Sequence, residues 1–358
     1  MKNRKLGVLG ITSMYIGVIL GAGFSSGREC WQFFGVFGTR GYPGVALMTI
    51  FFVLLALMLT YIADSKGTSD LGRVISPVED RRVIDGIGYL MAAIYYTLIM
   101  SMSAAGGALL EQQFGIDSRI GGLIIVILTL VTVLGDFERL SAVFSKLVPV
   151  LFGVTMLVVL LTIFYPNIEQ SGATEGYITS PMAPNWLIAS IIFTAYNGIG
   201  MIPMAGACAV NAKDRKNAFG GAFLGSLLPS IMTLLLLVAI LRDMAFSNEL
   251  SLPMVGYATR ISKPLSIVYT FILFGSIYAT AASTFYAFGT KIPQKPAKKY
   301  ILIAAAIVGF LIGQFGFKTL VKYLYPPQGY IGIVVIIMIT VNFFKEFLKR
   351  KREKYKIQ

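Results

Sequence analysis

The stretch Leu20-Gly21-Ala22-Gly23-Phe24-Ser25-Ser26-Gly27 lies in the middle of an apolar run that is otherwise long enough to cross a bilayer. Each glycine costs a helix interior roughly 1 kcal/mol relative to alanine. Ser25 and Ser26 can bond to nearby backbone in competition with the helical ladder. In hydrocarbon, every freed N–H and C=O must find a partner inside the protein or in a water-filled cavity. Two readings follow: a helix broken at mid-membrane, or a small-residue seam where another helix approaches closely. A second stretch, Tyr196-Asn197-Gly198-Ile199-Gly200, sits in a later apolar segment. Paired glycine-interrupted segments at corresponding positions of two halves point to a transporter binding site. The pair favours the first reading. Segments 21–27 and 196–200 are therefore expected to be non-helical and to face each other near mid-membrane.

Composition supports a membrane setting. The chain has 358 residues, 56% hydrophobic and 13% charged, with mean hydropathy +0.74; a soluble chain carries about 25% charged residues. The bulk is expected in lipid, as helices of roughly 20 residues. A net charge of +14 would suggest nucleic acid in a soluble protein; here it is read through loop asymmetry, with lipids as partners and no nucleic acid. Cys30 and Cys208 lie inside apolar segments and form no disulfide framework. The absence of histidine removes the commonest metal ligand and proton shuttle. Residues 1–5 imitate a signal peptide, but the run that follows is too long and lacks a small-residue cleavage site.

Ten spans are expected, at 6–38, 44–63, 84–112, 120–134, 141–164, 186–210, 218–241, 264–289, 300–315 and 329–347. With the N-terminus inside, most of the 31 lysines and arginines fall on the inner side, as the positive-inside rule requires. The outer side holds only Arg40, Arg119, Arg242, Arg260, Lys263, Lys318 and Lys322, and Arg28 lies within the first span. Both termini are then cytoplasmic, in a multi-pass protein of the cell membrane. Ten spans divide into a first repeat at 1–164 and a second at 186–347, joined by an outer loop at 165–185. A basic tail at 348–358 is expected along the inner leaflet. Because five is odd, the two halves are related by an in-plane pseudo-two-fold axis.

Gly21-Ala22-Gly23-Phe24-Ser25-Ser26-Gly27, followed by Arg28-Glu29-Cys30-Trp31-Gln32-Phe33-Phe34, resembles bacterial YkvI-type amino-acid permeases. Gly21-Ala22-Gly23 is similar to the Gly-Ser-Gly of amino-acid exchangers. Phe193-Thr194 with Gly198 and Gly200 is similar to the sixth helix of neurotransmitter-type symporters, and Tyr95-Tyr96 to a paired tyrosine of some relatives. At the level of span order the whole chain resembles the LeuT-type fold of the amino acid–polyamine–organocation (APC) superfamily. The resemblance implies an all-α integral membrane protein: a 5+5 inverted repeat of ten helices with helices 1 and 6 broken.

The residues suggest a site independently. A break in the first span exposes N–H groups at Ala22, Gly23 and Phe24, beside Ser25, which suit a carboxylate. A side chain on Gly23 would occupy the carboxylate's place. A break in the sixth exposes carbonyls near Phe193 and Tyr196, which suit an ammonium group. An α-amino acid carries both groups. Phe24, Tyr96, Phe193, Tyr196 and Ile199 would line its side-chain pocket, their alternative being ordinary core packing. No acid or base is placed there, which argues for a small neutral zwitterion. Arg28 and Glu29, one turn outward, are candidate gate residues.

The coupling ion has two candidates. Carbonyls of Gly17, Leu20 and Thr280 with hydroxyls of Ser283 and Thr284 resemble a sodium site of sodium-driven LeuT-type carriers. Alternatively Lys146, inside the fifth span, resembles a lysine of proton-coupled relatives; a buried lysine readily gives up its proton. The lysine takes precedence, because an amine deep in an apolar helix is rarer by chance than two hydroxyls. No cofactor is expected. A carrier working by alternating access is the leading function, driven by proton or sodium symport. An amino-acid-sensing receptor of the germinant-receptor kind is the alternative on the same fold. No HExxH, GxSxG, Walker or CxxC pattern points to an enzyme.

Overall fold

Aspartate and asparagine set the starts of the helices. Asp70, Asp80, Asp117, Asn185, Asp214 and Asp243 each accept a hydrogen bond from an amide of the first turn that follows, satisfying a donor that the helix itself leaves free. The computed structural model describes residues 6–135, 137–165, 177–293 and 296–357, with the backbone alone at 22, 137–146 and 353–357. The first span consists of α1 (Val8–Ile19), α2 (Ala22–Ser25) and α3 (Arg28–Phe33), then a 3-10 turn over Gly35–Arg40. There follow α4 (Gly41–Lys66), α5 (Leu71–Ile75), α6 (Arg81–Phe114), α7 (Ser118–Leu134) and α8 (Phe137–Phe164). The second half holds α9 (Trp186–Asn211), α10 (Arg215–Ile240), α11 (Met244–Glu249), α12 (Pro253–Ile261) and α13 (Lys263–Thr290). It closes with α14 (Lys298–Gly313), α15 (Phe317–Tyr323) and α16 (Tyr325–Ile357).

Among the described residues, seven helices are long and apolar enough to cross a membrane, and α1 and α7 are shorter apolar helices. The expected ten spans differ from this number for a local reason. The break divides the first span into pieces each too short to cross alone, and α14 has 16 residues.

The helices pack in two groups. In one, α1 and α4 lie against α10, and α4 and α1 against α9. In the other, α6 carries α7, α13 and α14. α8 bridges α13 to α10, and α16 runs along α9 and α4. Small residues let the backbones approach, as in other helical membrane proteins. A Cβ on Gly121 of α7 would stand 2.7 Å from the Gly106 carbonyl oxygen of α6.

Two expectations are corrected here. First, α9 runs unbroken through 196–200. Gly198 and Gly200 are close-approach positions: a Cβ would lie 2.5 Å from Leu55 of α4 at Gly198, and 2.9 Å from Val18 of α1 at Gly200. The seam reading holds for this stretch. α9 instead contains Pro203, which lacks an N–H and so leaves the carbonyl of Ile199 without its helical partner. Second, 21–27 is not non-helical throughout: Ala22–Ser25 form a helical turn, and the interruption is confined to Leu20–Gly21 and Ser26–Gly27. At the other end of the chain α16 continues to Ile357. Its Arg350 pairs with Asp64 of α4 at 3.3 Å, and Asp64 also meets Arg215 at 3.5 Å.

Gly121→Val should lower the thermal unfolding midpoint of detergent-purified protein, with overpacking costing about 1–3 kcal/mol. Gly86 of α6 has open space where a Cβ would stand. Gly86→Ala should raise the midpoint, gaining about 0.4–1 kcal/mol through the unfolded chain.

Candidate binding site at the break in the first helix

The break is built from backbone groups that change partner. α1 ends as the amide of Leu20 bonds the Ile16 carbonyl at 2.8 Å, and the amide of Gly21 turns back to the Ile19 carbonyl at 2.8 Å. One helical turn, α2, follows. The chain then bends through Ser26 and Gly27, where Gly27 takes a left-handed φ of 79°, a conformation that glycine adopts without a Cβ penalty. The Ser26 hydroxyl donates to the Gly23 carbonyl at 3.0 Å. The carbonyl of Ser25 accepts from the Tyr269 hydroxyl of α13. The carbonyl of Ser26 accepts from the amide of Met254 in α12 at 2.9 Å. The carbonyls of Ser25 and Ser26 therefore reach out of the first helix to α13 and α12. Among the described residues, the amides of Gly23 and Phe24 bond no backbone carbonyl outside α2.

An aromatic cluster faces this break from α9. Phe193 lies 6.3 Å from Phe24, 5.5 Å from Phe33 and 4.9 Å from Phe34, between ring centroids. Tyr196 lies 5.9 Å from Phe33 and 5.0 Å from Tyr325 at the start of α16. Phe24 and Phe193 are buried, as is Ile199, while Tyr196 is half-buried. The structure thus brings Gly23, Phe24, Phe193 and Tyr196 into one locality, with Ile199 one turn on. Ala22 and Ser25 belong to α2, and the buried Ser25 hydroxyl has no partner among the described residues. Tyr96 does not join them. Its hydroxyl donates to the Ala305 carbonyl of α14 at 3.0 Å, and its ring lies 4.9 Å from Phe288. Its neighbour Tyr95 is buried in the main core, with a hydroxyl unpartnered among the described residues.

Arg28 and Glu29 diverge, as consecutive helical residues about 100° apart must. Arg28 turns outward. Its guanidinium donates to the Asn248 carbonyl at 3.5 Å, to the Leu250 carbonyl at 3.4 Å and to Gln32 Oε1 at 3.4 Å. It opens on a cavity of about 450 Å³ lined also by Tyr177, Lys318 and Lys322. Glu29 turns inward. Its Oε2 accepts from the Tyr196 hydroxyl, and Asn197 lies beside the same carboxyl. A Cβ added to Gly23 would fall onto its Oε1. This corrects one expectation, because the site does contain an acid, and it places the two candidate gate residues, Arg28 and Glu29, on different sides of the helix. That acid fills the space assigned to the substrate carboxylate. The signal was in the sequence, one residue from Arg28, but its direction depended on helix phase.

The coupling candidates are less close to a formed site. The Ser283 hydroxyl donates to the Ala279 carbonyl and the Thr284 hydroxyl to the Thr280 carbonyl, both at 2.7 Å, and Ser283 is exposed. Gly17 and Leu20 are at the end of α1. The side chain of Lys146 lies outside the described residues. The two residues after it, Leu147 and Val148, wedge α8 between Gly275 of α13 and Gly17 of α1.

No family model matches the chain. The chain is homologous to the uncharacterised membrane protein YkvI of Bacillus subtilis (strain 168), with 25% identity over 345 residues, covering 94% of this chain and 96% of that protein. It is 22% identical over 331 residues to the uncharacterised protein YyaD of the same organism, covering 92% of this chain and 94% of that one. Its fold is that of Mhp1. The inward-facing conformation of Mhp1 matches with a TM-score of 0.64 at 13% identity, over 98% of this chain and 78% of that one. A closed conformation of Mhp1, a nucleobase-cation-symport-1 family transporter with bromovinylhydantoin bound, matches with a TM-score of 0.57 at 14% identity, over 94% and 78%.

Tyr269→Phe should destabilise the protein by about 1–3 kcal/mol, since it strips the buried Ser25 carbonyl of its donor. Gly23→Ala should be costly alone and much cheaper beside Glu29→Ala. A double-mutant cycle read by thermal unfolding should give a coupling of about 0.5–3 kcal/mol. Additive effects would mean that the carboxyl of Glu29 does not rest on Gly23.

Proposed function

We propose that this protein is a secondary active carrier that takes up a small neutral amino acid or related zwitterion, coupled to an ion, by alternating access. The observation that carries this reading is the interrupted first helix, whose exposed groups meet an aromatic face of α9 and a donor from α13. Irregular backbone at membrane depth is tolerated where it lines a binding cavity. Discontinuous helices at the interface between repeats hold substrate in transporters of this architecture. The likeness to Mhp1, described as a transporter, agrees with it. In this reading 1–164 and 186–347 are inverted repeats of five helices each, with 165–185 outside and both termini cytoplasmic. The group of α1, α4, α9 and α10 rocks against the group of α6, α7, α13 and α14.

Within the site, the amides at Gly23 and Phe24 receive the carboxylate, with Ala22 and Ser25 alongside. The Ile199 carbonyl released by Pro203 replaces the expected unwound sixth helix as an acceptor for the ammonium group. Phe24, Phe193, Tyr196 and Ile199 enclose an apolar or small polar side chain. The chemistry is transport without covalent catalysis, so the protein is not an enzyme and needs no cofactor beyond its coupling ion. Sodium at Gly17, Leu20, Thr280, Ser283 and Thr284, or a proton, supplies that coupling. Arg28, set under the outer cavity with Lys318 and Lys322, serves as an outer gate and draws anionic groups inward.

Purified protein in liposomes should accumulate at least one of the twenty labelled amino acids when a proton or sodium gradient is imposed. The same amino acid should raise the melting temperature by mass action. Gly23→Val should abolish both effects. Undiminished binding by that variant would place the site elsewhere, and failure of all twenty amino acids would reject the substrate class.

A further inference from the structure

We propose that Glu29 is the proton-carrying group of this carrier, its carboxyl competing with the substrate's carboxylate for the space beside Gly23. The inference rests on the carrier reading above and deepens it, in place of Lys146 or the hydroxyls of α13. A carboxylate inside a membrane protein is costly unless a counter-charge meets it. Glu29 is 5% exposed, and among the described residues no lysine or arginine pairs with it. Arg28, its neighbour, is committed to Asn248, Leu250 and Gln32 on the other side of the helix.

Among the described residues, the elements packed on α3 supply no cation either. α2 has no ionisable side chain, and α9 presents Tyr196. α10 presents the Thr233 carbonyl, which Cys30 of α3 faces. α15 presents Lys318, whose ammonium donates to the carbonyls of Asn248 at 2.7 Å and Glu249 at 3.0 Å. The 3-10 turn ends in an exposed Arg40, and α16 begins with Tyr325, buried against Tyr196. With no cation from the described residues beside it, the neutralising cation is assigned to solution. Its size is limited, because on the Gly23 side the contact leaves no room even for a methyl group. A proton meets that limit.

Competition for one place gives the coupling. Two carboxylates at one site cannot both remain ionised. While Glu29 is ionised it repels a substrate carboxylate. Once Glu29 is neutral the repulsion is gone and its side chain swings off the Gly23 face, so the substrate can enter, and by linkage each ligand tightens the other by the same factor. Facing outward, the Glu29 carboxylate takes a proton from the outer water and an O–H bond forms. After reorientation the zwitterion leaves, that O–H bond breaks, the proton passes to the inner water, and the carboxylate again accepts from Tyr196. One proton and one zwitterion cross per cycle, carrying one positive charge.

Infrared difference titration of the reconstituted protein, without any substrate, tests the carrier group directly. Wild type minus Glu29→Gln should show a protonated carboxyl band that vanishes as pH rises. Tyr196→Phe should keep the band and move it to higher frequency, because a hydrogen-bonding partner is lost. If Glu29→Gln does not fold, wild type minus Tyr196→Phe makes the same test. A difference spectrum with no titrating carboxyl at any pH overturns the proposal. Uptake of the twenty labelled amino acids supplies the second arm. With one pH unit imposed, acid outside, wild type should reach about tenfold accumulation. Glu29→Gln should exchange internal for external substrate without accumulating it, while Lys146→Ala should still accumulate. Proton-driven accumulation that survives in Glu29→Gln overturns the proposal and leaves the carrier function standing. Absence of any uptake by wild type rejects the carrier reading, and the infrared arm then still decides whether Glu29 holds a proton.

Discussion

Backbone hydrogen bonds cannot be left open in hydrocarbon, and the rest of this structure depends on how that constraint is met at residues 20–27. Breaking a helix there frees donors and acceptors that water would satisfy at a surface. Here Tyr269 of α13 and the amide of Met254 in α12 take the carbonyls of Ser25 and Ser26. The interruption therefore ties the first helix to the opposite helix group. It also holds α2 and α3 at the angle that brings Phe24 and Phe33 onto Phe193. A side-chain donor from a distant element thus does what the next turn of helix would have done.

The same bend separates two adjacent charges. Arg28 finds carbonyls in the segment around Asn248 and Leu250, an environment of oriented dipoles open to the cavity lined by Lys318 and Lys322. Glu29 finds a tyrosine hydroxyl and a glycine face. Hydroxyl and amide donors stabilise a carboxylate only in part, whereas a fully paired buried charge would be locked. A group left between these conditions is suited to change its charge during a working cycle, and that is the basis for assigning it the proton.

The packing is consistent with motion between bodies. Inside each helix group, glycines allow backbones to touch, as at Gly121 against Gly106 and Gly198 against Leu55, and such contacts resist deformation. Between the groups, contacts pass through α2, α5 and α8. The N-terminal end of the first span is also tied to its own group. Leu6 forms a parallel bridge with Ala212, and the amide of Val8 bonds Asn217 at 3.1 Å. A rocking movement would leave these ties intact and act on the break.

By itself the sequence determined the membrane setting, the helical class, the order and approximate limits of the long helices, and an interruption of the first span within residues 20–27, though not the helical turn Ala22–Ser25 inside it. These follow from local quantities: apolar length, helix propensity, capping residues and charge placement. It did not separate the two glycine-rich stretches. Gly21 to Gly27 and Gly198 with Gly200 have similar composition, yet Gly27 takes a positive φ while Gly198 and Gly200 admit Leu55 and Val18 into a straight helix. Which outcome a glycine produces depends on the neighbour it faces, and α4 and α1 are distant in sequence. Tertiary structure alone likewise decided that Tyr95 lies in the main core while Tyr96 bonds Ala305 in α14, and that Glu29 faces inward while Arg28 faces out. Adjacent residues on a helix point about 100° apart, so their roles are set by helix rotation. That rotation is fixed by packing and by the partners that distant helices offer.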